Sequence, residues 1–200
     1  MLVHIDPRSF LRSLSIDTAE NRRYYQPFIV DIVKRYERGD EPTEKFFSNL
    51  DFLFNSERSR LRHDHGGKTF FSRADFGTAM LSILGEPVAG MEELVRHVSV
   101  STPLGLLSNT NPLHYDHCLK TFPVLRSIPT HFLSYELNAF KPEVAIFERV
   151  LARLPFTPET ILYIDDLAEN VQAAGTLGIQ THQFVEAKEL RQLFDELGLA

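Results

Sequence analysis

The stretch Ile161-Leu-Tyr-Ile-Asp-Asp-Leu-Ala-Glu-Asn170 decides the fold. Four mostly apolar residues run into two adjacent carboxylates, and a helix-forming stretch follows. A buried parallel strand that ends in paired acids sets negative charge at the carboxyl edge of a sheet, where open α/β sheets bind their ligands. Like charges side by side repel unless a cation lies between them. A hard divalent cation such as Mg²⁺, which takes oxygen ligands, suits that position. One Asp here would read as a strand end followed by a helix N-cap. Asp165 and Asp166 in succession point instead to a metal-binding or catalytic edge.

Two further stretches add partners. Leu104-Gly-Leu-Leu-Ser-Asn-Thr-Asn111 is another short apolar run, and it ends in hydroxyl and amide side chains. Ser108, Asn109 and Thr110 offer donors to an anion, helped by backbone N–H groups at a helix start. In Ala139-Phe-Lys-Pro-Glu143, Pro142 suits the first turn of a helix. That places Lys141 just before a helix N-terminus, where a cation gains nothing from the helix dipole. A phosphate or a carboxylate would serve as its partner. Singly these signals are weak: Ser108 alone reads as a cap, and Lys141 alone as a solvated surface residue.

Outward from these motifs, residues 9–85 read as helical. Phe28, Ile29, Ile32, Val33 and Tyr36 recur at helical spacing, and Gly39 stops that helix. Pro42 and Thr43 open another, with Phe46, Phe47 and Leu50 on its apolar side. Ser72-Arg-Ala-Asp75 has the form of a capping box, followed by a stripe of Phe76, Ala79, Met80 and Ile83. This predicts a cap of roughly four helices over 1–87. From 88 to 200 helices alternate with strands, the signature of a parallel sheet. Helices are expected near 91–98, 112–121 and 142–154, with strands near 104–108, 130–134, 161–164 and 180–185. A helix ended by Gly178 and a terminal helix marked by Leu190, Leu193, Phe194 and Leu197 complete the pattern.

The order Ser-Asn, then Lys-Pro, then Asp-Asp with Glu-Asn following resembles motifs two, three and four of the haloacid dehalogenase-like hydrolase superfamily. The resemblance is nearest to its small sugar-phosphate-type phosphatases with a helical cap. It is carried by Leu107-Ser-Asn-Thr-Asn111, Phe140-Lys-Pro-Glu143 and Ile164-Asp-Asp-Leu-Ala-Glu-Asn-Val171, with Ala173, Ala174 and Gly178. It covers about residues 90–185 closely. The first ninety match more loosely, through Tyr36-Glu-Arg-Gly-Asp40 and Glu44-Lys-Phe-Phe47. The resemblance implies a Rossmann-like α/β core with a small helical cap and a Mg²⁺-dependent phosphatase of small phosphorylated metabolites. In that scheme Ser108 hydrogen-bonds the phosphoryl oxygens, aided by the Asn109 backbone. Lys141 neutralises phosphate charge, and Asp165 and Asp166 hold Mg²⁺. Such charge placement is the main catalytic contribution open to phosphoryl transfer.

The superfamily's first motif, a strand ending in Asp-x-Asp whose first Asp is the nucleophile, has no counterpart here. Met1-Leu-Val-His-Ile-Asp6 corresponds to the region where the chain leaves that motif for the cap. The expectation is therefore a chain that starts just after its nucleophile, as a start codon placed too late would give. Asp6 itself is followed by Pro7 and Arg8 and reads as a cap-linker or helix N-cap. Without a nucleophile, covalent phosphoryl transfer has no first step. In the superfamily the missing strand is central, between those ending at Ser108 and Ile164, so these two should flank a gap or pair directly. Exposed edges would favour a homodimer. The alternatives are a non-catalytic binding module of the same fold and a 2-haloacid dehalogenase-type hydrolase.

Composition sets wider bounds. The chain has 200 residues, 43% hydrophobic and 24% charged, which is ordinary for a globular protein. Its formal charge of −6 opposes nucleic-acid binding, which needs a basic face. Cys118 is the one cysteine, so no intrachain disulfide forms and a reducing cytoplasm fits. The opening residues do not read as a signal peptide, and no apolar run has the length expected of a membrane-spanning helix. His114, His117 and Cys118 lack the ligand spacing of a zinc site. His63-Asp-His65 beside Gly66-Gly67 reads as a loop, and Arg22-Arg-Tyr-Tyr25 as a solvated helix face.

Overall fold

The structure is a computed structural model that describes residues 3–56 and 70–199. His63-Asp-His65 and the two glycines after it lie outside the described residues. The chain opens with strand β1 (Val3–Ile5) and a short helix α1 (Ser9–Ser13). Helices α2 (Ala19–Arg38), α3 (Thr43–Asn55) and α4 (Arg73–Leu81) follow. Strand β2 (Leu84–Pro87) then returns antiparallel to β1. This strand lies where the sequence pattern expects the helical region to end.

The caps explain the helix limits. Thr18 accepts from the Asn21 N–H at the start of α2, and Gly39 ends it with φ +83°. A left-handed residue there frees the chain to turn away, and glycine adopts it without a Cβ penalty. The Ser72–Asp75 capping box is formed. Tyr25, Ile29, Ile32 and Tyr36 are the buried stripe of α2, whereas Phe28, next to Ile29 on the helix, is 50% exposed. Together with Phe46, Leu50, Phe54, Phe76 and Met80 they form one apolar cluster spanning residues 10–83.

The remainder alternates helices with strands. Helix α5 (Met91–Val98) leads to β3 (Gly105–Ser108), α6 (Pro112–Thr121) and β4 (Thr130–Leu133). The short α7 (Ser134–Leu137) and α8 (Val144–Leu151) precede β5 (Leu162–Asp165), α9 (Ala168–Gly175), β6 (Gln180–Gln183) and α10 (Ala187–Glu196). β3 pairs parallel with β4, Gly105 opposite Thr130. β5 pairs parallel with β6, Leu162 opposite Gln180. Each parallel pair is joined through a helix, as the crossover requires.

Among the described residues β3 and β5 do not pair; they belong to separate two-stranded sheets. A cleft of about 1420 Å³ is lined by both, and Leu107, Phe132, Phe147 and Ile164 give it an apolar wall. No helix among the described residues is long and apolar enough to cross a membrane. Of the boundaries that differ from the pattern, two lie beside glycine or proline. α8 begins at Val144 with Glu143 as its N-cap, so Pro142 precedes the helix instead of opening it. α9 ends at Gly175, and Gly178, at φ +80°, lies in the turn before β6.

Candidate active site

β5 delivers Asp165 to the carboxyl edge of its sheet. Tyr163, two residues earlier and hence on the same face of the strand, donates its hydroxyl to Asp165 Oδ2 at 2.6 Å. Past the strand, the Leu167 N–H and the Asn170 side-chain amide donate to Oδ1 at 3.0 and 2.8 Å. The fourth donor is Lys141 Nζ, 2.6 Å from Oδ2. Asp165 is 4% exposed. Burial alone would raise its carboxyl, but the Lys141 charge and the hydrogen bonds from Lys141, Tyr163 and Asn170 outweigh it and hold the group at about 2. The Tyr163 hydroxyl is pushed far up, by burial first and then by Asp165, so it stays a donor. Asp166 is half-buried, and its carboxylate has no ion-pair partner among the described residues.

Lys141 is presented by a turn closed by the Glu143 N–H on the Phe140 carbonyl at 2.9 Å. The Asn109 side chain clamps the Lys141 backbone, donating to its carbonyl at 2.9 Å and accepting from its N–H at 2.8 Å. Nζ also reaches the Leu107 carbonyl at 3.3 Å. Thus β3, the 140–143 turn and β5 meet at one edge. Ser108, at the end of β3, is half-buried, and among the described residues its hydroxyl makes only a 3.4 Å contact with the Asn109 carbonyl. Its hydroxyl is therefore available to an anion.

Thr110 departs from its expected role. It is 8% exposed, and its N–H donates to Ser134 Oγ at 2.9 Å. The start of α6 is likewise closed: the Asn111 side chain accepts from the His114 N–H, and Pro112 has no N–H to offer. An anion at this edge would rely on Ser108 and Lys141, with little help from the helix end.

Asp6 lies elsewhere. Exposed at the start of α1, its carboxylate accepts from the Arg8 N–H, the Ser9 hydroxyl and Arg12. These hold it below the usual carboxylate range, the Ser9 hydrogen bond foremost. His114 has a structural role: its Nε2 faces the Met80 carbonyl at 2.9 Å and its Nδ1 the Asn111 amide at 3.1 Å. That pattern requires a neutral ring, and burial lowers its proton affinity accordingly. In Arg22-Arg-Tyr-Tyr25, Tyr25 is fully buried and Arg22 lines the cleft.

The residues present do not complete a magnesium site in this arrangement. Both Asp165 oxygens are already occupied by donors, leaving Asp166 as the open carboxylate. Asn170 Oδ1 is buried and unpartnered, but no group of three metal-binding side chains occurs among the described residues. Several contributors at the edge went unread in the sequence: Tyr163, Asn170 as a partner of Asp165, and the Arg38–Glu143 pair from α2. The i, i+2 spacing of Tyr163 and Asp165 on a strand was the one usable signal.

A family model for haloacid dehalogenase-like hydrolases matches residues 13–178. The chain belongs to this family. Among solved structures, a HAD family enzyme from Bacteroides thetaiotaomicron is similar, with a TM-score of 0.78 and 24% identity over 96% of this chain and 93% of that one. The same enzyme in complex with magnesium and inorganic phosphate gives 0.75 and 25% over the same shares. A predicted HAD-like family hydrolase from Porphyromonas gingivalis gives 0.74 and 22%, over 98% and 92%. A dehalogenase with an intermediate complex gives 0.61 and 15%, over 97% and 92%.

Proposed function

We propose that this haloacid dehalogenase-like chain carries the phosphoryl-binding edge of a phosphatase acting on a small phosphorylated metabolite. The observation that carries the reading is the meeting of Ser108, Lys141 and Asp165 at the carboxyl ends of β3 and β5. An available hydroxyl and an ammonium 2.6 Å from a carboxylate form an anion-binding corner whose charge rearranges when an anion arrives. The magnesium and phosphate held by the Bacteroides thetaiotaomicron enzyme support the same class. The helical part is placed in this reading as the cap over the cleft.

Magnesium binding through Asp165 and Asp166 requires release of Asp165 from Lys141 and a further oxygen ligand. Covalent transfer requires a carboxylate free to attack; Asp165 is fully engaged, Asp6 lies in the α1 turn, and the open Asp166 is assigned in this reading to the metal. The 200-residue chain should therefore bind inorganic phosphate but not hydrolyse p-nitrophenyl phosphate, with or without Mg²⁺. Phosphate binding, read by calorimetry, should be lost in Ser108→Ala and Lys141→Met. Turnover abolished by Asp6→Asn would assign the nucleophile to Asp6 and overturn this reading. A second reading, a dehalogenase, is favoured by the Lys141–Asp165 pair, which is complete without a metal. Halide release from 2-haloacids, with no phosphate binding, would establish it instead.

A further inference from the structure

We propose that Arg38, at the C-terminal end of α2, is a positioning residue for Lys141, holding both ends of the turn that presents its ammonium to Asp165. The turn runs from Phe140 to Glu143 and is closed by the 2.9 Å hydrogen bond between them. Arg38 Nη1 donates to Glu143 Oε2 at 2.8 Å, and Nη2 donates to Oε1. The same guanidinium lies over the Phe140 ring, 4.2 Å from its centroid. One planar cation thus grips the last side chain of the turn by a two-point fork and covers the first by a cation–π contact. Lys141 lies between the two grips.

Arg38 is itself held in place. The Ser134 hydroxyl, fully buried, donates to the Glu37 carbonyl at 2.6 Å. Gly39 follows in the left-handed conformation, packed against the Tyr135 carbonyl. Other arginine pairs among the described residues differ: Arg73–Glu44, at 54% and 77% side-chain exposure, joins α4 to α3, and Arg96–Glu92 stays within α5. Exposed pairs of that kind contribute little. Arg38 and Glu143 are instead about one-third exposed and bridge the helical part to a turn that carries a site residue. The helical part therefore sets the Lys141 ammonium through this contact, and a shift of α2 would move the turn. The functional consequence rests on Lys141 being the anion-facing cation of the proposed site; the geometry does not.

The test is competitive acylation of the folded protein with acetic anhydride, read lysine by lysine by mass spectrometry. Lys34, Lys45, Lys120 and Lys188 serve as references. In Arg38→Met, Lys141 should acylate about tenfold faster while the references stay constant, the factor that ~1.4 kcal/mol of lost restraint gives. Arg38→Lys should show the same direction, because an ammonium cannot reproduce the fork. The swap Arg38→Glu with Glu143→Arg should restore slow acylation. An unchanged Lys141 rate in both single variants overturns the proposal. So does a rise of all these lysines together in both, which makes Arg38 a general anchor. If Lys141 alone accelerates while the wild type binds no inorganic phosphate, the phosphatase reading fails and the positioning role stands.

Discussion

Glu37 shows how one side chain records the fit between the helical part and the sheet. Burial pushes its carboxyl up to about 7, against a hydrogen bond from Asn111 and the charge of Lys34, which both pull it down. An unperturbed glutamate ionises near 4.5. The folded state therefore has a stability advantage below pH 4.5 that is lost as the pH rises to about 7, because the unfolded chain gives up the proton first. Glu37→Gln keeps the shape and the Asn111 contact but removes the ionisation. At pH 8 the variant should be more stable by about 1–2 kcal/mol, the linkage value discounted for partial exposure. At pH 4 the two should be equal. Denaturant unfolding at both pH values checks this, and a variant less stable at pH 8 would mean that the carboxylate is well paired when charged. Asp165 was marked by the paired acids at the end of an apolar run, whereas Ser108 and Lys141 were picked out only by the order of the three motifs and the family resemblance it carries, since alone they read as a cap and a solvated residue. Glu37 and Arg38 were not legible in the sequence, because no local pattern marks a contact made across 74 or 105 positions of chain.

At the scale of elements, periodicity located two helices in full, and turn or capping residues located the starts of α3 and α4 to within a residue. α6 and α5 match their expected spans, and the Ser72–Asp75 box starts α4. The miss at α8 has a local cause: Lys141 and Pro142 are taken up by the turn that aims the ammonium, so the helix starts two residues later, at Val144. Gly39 is where an element boundary and the site meet. A Cβ added there would lie 2.2 Å from the Tyr135 carbonyl oxygen, at φ +83°. Backbone cannot yield as a flexible side chain can, so Gly39→Ala must displace the end of α2 or the start of α7. The expected loss is about 2–4 kcal/mol, from the left-handed conformation and overpacking together. Thermal unfolding reads it, and a loss below about 1 kcal/mol, the conformational cost alone, would show that α2 ends more loosely than drawn.

For the whole molecule, an α/β core with a helical part was readable from alternation alone, but how the half-sheets are completed was not. On β5, the Ile161 and Asp165 carbonyls accept from β6 residues and their neighbours. Alternation along the strand therefore turns the backbone groups of Leu162 and Ile164 the other way. Among the described residues no strand takes them up, and both residues line the same apolar cleft as β3. Protein interiors are close-packed, and unfilled apolar space forfeits both dispersion and burial. Open strand edges also recruit other chains. Two outcomes follow from the same geometry. The 200-residue chain should self-associate, a two-fold dimer being the simplest closed form. A form carrying one added apolar strand at its amino end should be monomeric and melt higher. Each aliphatic side chain of that strand buried between β3 and β5 is worth about 1.5–3 kcal/mol, and pairing of both edges adds about 1 kcal/mol per hydrogen bond formed. Light scattering and thermal unfolding of the two forms test this together. If the 200-residue chain is monomeric and melts no lower than the strand-bearing form, the half-sheets are self-sufficient, and the cleft belongs to the native core as it stands.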